Sequence, residues 1–150
     1  MQGYDYQGNE QYWTTTGGNV TSLVLIDVDN VSTTVRVAYL CAKLLQDGKS
    51  ELLVGSDDYI IYIYQEDEIL SEVTENDQIT SLCKIRDTKY GYALQNGCIG
   101  IYNQQNRMWK VKSKHMPTCL EGYDLDGDGV DEVIALTTGV QLVAVRSDGT

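Results

Sequence analysis

An all-β fold, a segment of a β-propeller with about three four-stranded blades, is what this sequence predicts. Three observations carry the prediction. Apolar runs of four to eight residues recur between turn residues, with 14 glycines and one proline in 150 residues, which is the pattern of short strands. An Asp-rich turn occurs twice, once whole and once interrupted. With the interruption removed, strands repeat with a period of about forty residues, the size of one propeller blade. A single blade cannot bury both of its faces, so such repeats must stack. A closed ring takes about four to eight blades, and residues 1–150 are therefore expected to be a partial propeller domain.

The predicted strands run in order from Tyr12–Thr16, Val20–Val28, Glu51–Gly55, Ile60–Gln65, Glu68–Thr74 and Gln78–Ile85 to Lys89–Leu94, Cys98–Asn103, Met108–Lys112, Cys119–Asp124, Glu132–Thr137 and Gln141–Arg146. Glu51 to Gly55 followed by Ile60 to Tyr64 corresponds to Tyr90 to Leu94 followed by Ile99 to Tyr102, and to Glu132 to Leu136 followed by Val140 to Val145. Trp13 and Trp109 fall on outer strands, where packing between blades is the expected role. Eleven tyrosines and no phenylalanine suit blade edges, where a ring packs and its hydroxyl reaches water.

The whole Asp-rich turn is Asp124-Leu125-Asp126-Gly127-Asp128-Gly129-Val130-Asp131-Glu132. Carboxylates at loop positions one, three and five, the Val130 carbonyl at seven and Glu132 at nine would converge on a hard cation such as Ca²⁺. Gly129 permits the sharp turn. An EF-hand would need a carboxylate at position twelve, which is Ala135, and helices on both sides. The loop instead resembles the FG-GAP-like turns of integrin-α-type propellers. The competing reading is a purely structural turn whose carboxylates accept from their own backbone N–H groups.

The interrupted copy has Asp27-Val28-Asp29-Asn30 as its front half and Asp47 to Gly55 as its back half. Removing Val31–Gln46 leaves DVDNDGKSELLVG, which aligns without a gap on DLDGDGVDEVIAL. Val31–Gln46 thus reads as an insertion, either a retained in-frame intron or a surface-loop insertion, which chains tolerate at modest entropic cost. Val31-Ser32 can be encoded as GTNAGT and Gln46 as CAG, the common splice-boundary sequences. Within it, Ala38–Leu45 could form a short helix.

Composition narrows the function. A net charge of −11 sets long-range repulsion against nucleic acid and anionic membrane. No apolar run reaches transmembrane length, and the start Met1-Gln2-Gly3-Tyr4-Asp5 lacks the regions of a secretory signal. A cytosolic chain, or a piece of one, is expected. Cys41, Cys83, Cys98 and Cys119 form no CxxC pair and are expected to be buried free thiols. Asn19-Val20-Thr21 and Asn30-Val31-Ser32 match the glycosylation pattern, which means little without secretion.

Reactive chemistry is sparse. His115 is the one histidine, and there is no phosphate-cradling GxxxxGK[ST] loop and no GxSxG elbow. No enzyme is expected. A basic stripe, Arg107 to His115, stands out in an acidic chain. Strand alternation places Arg107, Trp109 and Val111 on one face, and the stripe reads as a solvated outer strand or a docking surface for an acidic partner.

An ordered series of motifs then points to one family. Trp13 to Gly17, Asn19 to Leu23, Glu51 to Ser56, Glu66 to Ile69, Ile79 to Cys83, Gly91 to Leu94, Trp109 to Lys114, Asp124-Leu125, Asp128 to Val130, Ala144 and Arg146 to Asp148 occur in the order seen in the Bardet-Biedl syndrome protein 2 family, which the chain resembles over nearly its whole length apart from Val31–Gln46. The resemblance implies part of the N-terminal propeller of a BBSome subunit, a non-enzymatic scaffold and cargo adaptor of the coat complex that moves membrane proteins in and out of cilia. It further implies other BBSome subunits as partners, Bardet-Biedl syndrome protein 7 above all, together with ciliary membrane-protein cargo, and a location in cytoplasm, cilium and basal body. The competing classes are a Ca²⁺-binding extracellular adhesion propeller of integrin-α type and a cytosolic propeller of another complex.

Overall fold

The computed structural model describes residues 2–13, 19–24, 41–42, 51–65, 68–86, 88–139 and 142–146. All of its regular structure is antiparallel strand: β1 (Gln2–Tyr4), β2 (Glu10–Trp13), β3 (Val20–Val24), β4 (Cys41–Ala42), β5 (Glu51–Ser56), β6 (Ile60–Gln65), β7 (Glu68–Thr74), β8 (Ile79–Lys84), β9 (Lys89–Leu94), β10 (Cys98–Asn103), β11 (Asn106–Lys112), β12 (Pro117–Tyr123), β13 (Glu132–Thr137) and β14 (Leu142–Arg146). These make a β1-β2 hairpin, a sheet ordered β3-β5-β6-β7 with β4 also on β5, a sheet ordered β8-β9-β10-β11, and a three-stranded sheet β12-β13-β14. The sheet of β3 to β7, five strands with β4 counted, is called blade 1, the four-stranded sheet blade 2 and the three-stranded sheet blade 3. This is the all-β, blade-repeating architecture that the spacing predicts, with two blades complete.

Alternating side chains go to opposite faces of each sheet, and the packing follows that alternation. One core, with Leu53, Ile61, Ile63, Ile79, Leu82, Tyr90, Tyr92 and Tyr102 buried, joins blade 1 to blade 2. A second, with Cys83, Ile85, Ile99, Ile101, Leu120 and Val133 buried and Trp109 packed against it, joins blade 2 to blade 3. Each fully buried Leu or Ile contributes about 2 kcal/mol. Trp109 therefore takes the inter-blade role expected of it, while the Trp13 side chain lies outside the described residues.

One irregularity recurs at the same place in each blade. The register of the innermost strand slips between Val20 and Ser22, between Ile79 and Ser81 and between Pro117 and Cys119. The residue left over is a threonine each time: Thr21, Thr80 and Thr118. Bulges re-aim the side chain of the extra residue, and here two of the hydroxyls cross to the next blade. Thr21 Oγ1 donates to the Ile79 carbonyl, and Thr80 Oγ1 donates to the Pro117 carbonyl at 3.0 Å. Thr118 Oγ1 donates to Leu136 O of its own blade at 3.1 Å.

Three expectations are corrected. Within Ala38–Leu45, where a helix was expected, the described residues Cys41–Ala42 are strand, because β5 offers them ladder partners at Leu52 and Glu51. The rest of Val31–Gln46 lies outside the described residues. Cys83 and Cys98 are buried free thiols as expected, but Cys119 is exposed. It follows the bulged Thr118, and the described neighbours leave it uncovered. An additional strand, β1, precedes the first predicted one. Gln2-Gly3-Tyr4 carries no alternation of its own and is ordered by pairing with Glu10–Trp13.

Candidate functional site

The Asp-rich loop leaves β12 at Tyr123 and enters β13 at Glu132, whose Cα atoms are paired. Two glycines with φ of +75° and +86°, Gly127 and Gly129, let so short a segment reverse, since L side chains are strained there. Turning aims successive backbone N–H groups inward. Asp124 accepts from Gly127 N at 2.8 Å and from Gly129 N at 2.9 Å. Asp126 accepts from Asp128 N at 3.1 Å, and Asp128 accepts from Val130 N at 2.8 Å. Carboxylate oxygens of Asp124, Asp126 and Asp128 lie within 4.8 Å of one another.

Two arginines face that concentration of negative charge. Arg146, at the end of β14, reaches Asp126 with Nη1 at 3.3 Å and Asp128 with Nη2. Arg86, beyond the end of β8 in blade 2, donates through its backbone N–H to Asp131 at 2.7 Å and pairs through Nη2 with Asp131 at 3.2 Å. Its Nη1 donates to the Gly129 carbonyl. The Val130 N–H, and then the Arg146 guanidinium, hold the Asp128 carboxyl below its ordinary range.

Of the five residues expected to ligate a cation, three are thus brought together as carboxylates. Val130 contributes its N–H to Asp128. Glu132 is buried, with 6% of its surface exposed, and its Oε2 accepts from Leu125 N at 2.8 Å while its Oε1 has no hydrogen-bond partner among the described residues. Its counterpart Glu51 is also buried, and there Gln65 Nε2 donates to Oε1 at 3.1 Å. Glutamate at the ninth loop position is thus an interior residue in both blades. Asp27, Asp29 and Asp47 of the interrupted copy lie outside the described residues.

A second polar constellation, which the sequence reading missed, sits between blades 1 and 2. Glu75, just after β7, is 6% exposed. It accepts from Tyr102 OH at 2.7 Å and from Lys110 Nζ at 2.7 Å, with Arg107 Nη1 at 3.5 Å. Burial pushes its pKa up, but the Lys110 and Tyr102 hydrogen bonds outweigh burial and the net direction is down. Tyr90 and Tyr102 stack at 5.5 Å between centroids. Among the described residues the buried Tyr90 hydroxyl has no hydrogen-bond partner, whereas Tyr92 is turned toward Glu75 and contributes to holding its carboxyl down.

The same contacts correct the expected faces of the basic stripe. β11 bulges, so that Tyr102 pairs with Arg107 and Ile101 with Trp109, leaving Met108 unpaired. Cross-strand partners share a face. Arg107 therefore joins Lys110 and Lys112 on one face, and Trp109 and Val111 occupy the other. His115 is exposed, and its ring lies against Gly139, where an added Cβ would stand 2.5 Å from the ring.

Comparison with known proteins agrees with this architecture. A family model described as ciliary BBSome complex subunit 2, middle region, matches residues 38–142. The BBSome complex member BBS2 of Danio rerio is 42% identical over all 150 residues, which are 19% of that relative's length; the chain thus spans about a fifth of it. Among solved structures, the one titled as BBS1N in complex with ARL6DN superposes with a TM-score of 0.58 at 12% identity, over 74% of this chain and 36% of that one. The β-propeller domain of Cps50 (Swd1) from Myceliophteria thermophila superposes with a TM-score of 0.56 at 17% identity, over 64% of this chain and 30% of that one. At such identities these likenesses show the propeller fold alone. The whole-length match of the sequence and the family model together establish that the chain belongs to the family of BBSome complex subunit 2.

Proposed function

We propose that this chain supplies consecutive blades of a scaffold and cargo-adaptor subunit of the BBSome, acting without catalysis in ciliary membrane-protein trafficking. The observation that carries the reading is the 42% identity spread over all 150 residues, against a site whose polar groups are engaged in holding blades together. Glu75, Lys110 and Arg107 close one junction, and Arg86 with Asp131 closes another. Such groups position surfaces and transfer nothing. Other BBSome subunits are the proposed partners, Bardet-Biedl syndrome protein 7 foremost, with cytoplasm, cilium and basal body as the location. Residues 1–150 are read as part of one propeller domain, with Val31–Gln46 inserted in a blade loop.

The experiment is affinity purification and imaging of the tagged complete protein. Recovery of other BBSome subunits, with tagged protein at cilia or basal bodies, is expected. Failure to recover any such subunit, or absence from both places, would overturn the proposal. The Ca²⁺-dependent adhesion reading, which rests on Asp124, Asp126 and Asp128, would instead require secretion of the complete protein and cation-dependent cell attachment.

A further inference from the structure

We propose that the outer edge of blade 2, from Arg107 to Lys114, is a docking site for an extended acidic segment of a partner protein that also carries apolar side chains. This goes beyond membership of any particular complex and rests on the rim geometry alone.

β11 ends its sheet, and among the described residues no strand pairs with its outer edge. Four of the chain's 11 lysines and arginines fall at Arg107, Lys110, Lys112 and Lys114, in a protein of net charge −11. The bulge at Met108 gathers Arg107, Lys110 and Lys112 on one face. Glu75 is the anion that meets this face, and it engages Lys110 at 2.7 Å and Arg107 at 3.5 Å. Lys112 and Lys114 remain exposed, as does half of the Arg107 side chain. Met108, 45% exposed, stands at the bulge of the same edge, and Val111, 37% exposed, lies on its other face.

Lysines on an edge strand also blunt unwanted strand pairing, so the equivalent strand of blade 1 is the informative control. β7 bulges at the same place, where Tyr64 pairs with Ile69 and Ile63 with Ser71, leaving Leu70 over. Leu70 is 40% exposed, matching Met108. Yet β7 carries Glu68 and Glu72 and no cation. Blunting by bulge and charge is achieved there with the opposite sign, so edge protection does not account for the positive sign of β11. An edge with one positive face, and with Met108 at its bulge and Val111 on its other face exposed, complements an acidic strand whose alternate side chains are partly apolar. A protein segment is favoured over an anionic membrane, because a broad negative surface meets the repulsion of the whole chain. A narrow segment within about 10 Å feels mainly the local charges.

The test places a photo-crosslinking amino acid at Met108 of the complete protein in cells, with Leu70 as the control position. Captured peptides are identified by mass spectrometry. The expected result is a peptide richer in Asp and Glu than in Lys and Arg, captured at Met108 and not at Leu70. Its capture should fall about tenfold in the Lys112→Glu/Lys114→Glu variant. Both side chains are exposed, so melting should be unchanged; if that variant unfolds, the loss of capture in Lys112→Gln/Lys114→Gln decides. Capture of no peptide, of a neutral or basic peptide, or of lipid alone would overturn the proposal. So would capture that ignores both charge variants.

Discussion

The side-chain hydroxyl of Thr80 donates a 3.0 Å hydrogen bond to the carbonyl of Pro117, tying the innermost strand of one blade to the innermost strand of the next. Thr21 makes the equivalent bond to Ile79. Two consecutive junctions therefore share one device, built on a bulge that frees a threonine from its own ladder. Thr80→Val keeps the shape of the side chain and removes the donor that the carbonyl of the buried Pro117 receives from the neighbouring blade. Thr80→Val should destabilise the complete propeller by about 1–2 kcal/mol, and Thr80→Ser should recover most of that loss. Denaturant unfolding of both variants is the measurement, and equal stability would show the bond to be dispensable.

Glu75 is the buried carboxylate that the blade 1 to blade 2 junction closes around. Glu75→Ala would leave Tyr102 without its acceptor and Lys110 with the Asn76 side chain but no anion, at a cost of about 3 kcal/mol. Its folded pKa is lowered. Its contribution is therefore present above the unfolded value of about 4.3 and is lost as pH falls through the lower folded value. Wild-type stability should drop in that acid window, and the Glu75→Ala variant should show a smaller drop there. Urea midpoints between pH 3 and pH 6 would check this.

Tyr90 buries a hydroxyl with no hydrogen-bond partner among the described residues. Removing an unsatisfied buried group stabilises or leaves stability unchanged. Tyr90→Phe should therefore melt no lower than wild type, and up to about 1 kcal/mol more stably. A clear fall in melting temperature would mean that the hydroxyl is satisfied in solution, by a buried water for example.

At the Asp-rich loop, the Arg146 guanidinium stands against Asp126 and Asp128, the position a divalent cation would take. Ca²⁺ binding to Asp124, Asp126, Asp128, the Val130 carbonyl and Glu132 would have to displace it. Arg146→Ala should raise Ca²⁺ affinity at least about tenfold, since an unscreened like-charge cluster is what a cation relieves. Asp128→Ala should abolish binding in that background. Calorimetric titration of the complete propeller decides; equal heats for wild type and Arg146→Ala would discard the competition.

Strand β4 bears on the reading of Val31–Gln46 as an insertion. In blade 3, Gly122 and Tyr123 pair with Val133 and Glu132. In blade 1 the corresponding partners, Leu52 and Glu51, pair with Cys41 and Ala42, and the described part of β3 pairs up to Val24 with Leu53. Deleting Val31–Gln46 would let Leu25 and Ile26 take those places. The deleted chain should fold with stability equal to or above that of the undeleted one, as judged by thermal unfolding of the complete protein. A spliced message that still encodes Val31–Gln46 would end the retained-intron reading, though not the surface-loop one.

The strands from Glu51 to Thr137 were legible because each is a short apolar run between turn residues, and tertiary packing had little to override. The Asp-rich turn was legible down to Gly129, whose φ of +86° is what the pattern requires. Bulges were not legible. Asn-Val-Thr-Ser and Gln-Ile-Thr-Ser look like uninterrupted strand, Met-Pro-Thr-Cys falls just before the predicted strand Cys119–Asp124 because of its proline, and only pairing reveals that one residue in each is skipped. The same blindness put Arg107 on the Trp109 face, because an unseen extra residue inverts the parity of every residue before it. Glu75 escaped notice because nothing local marks a carboxylate whose partners lie 27 and 35 residues away. A glutamate between a strand end and a turn normally reads as solvated.

Repetition carries a hazard: sheets built alike can stack in the wrong order, and multi-repeat chains misassemble by that route. The two junctions differ in the sign of their contacts. Between blades 1 and 2 a carboxylate before β8 meets cations on β11; between blades 2 and 3 a guanidinium after β8 meets carboxylates of the Asp-rich loop. A blade set against the wrong neighbour would bring like charges together or leave a buried carboxylate alone, and discrimination of this kind comes from penalties on the incorrect pairing. The charge code at the junctions thus gives otherwise interchangeable sheets an order of assembly.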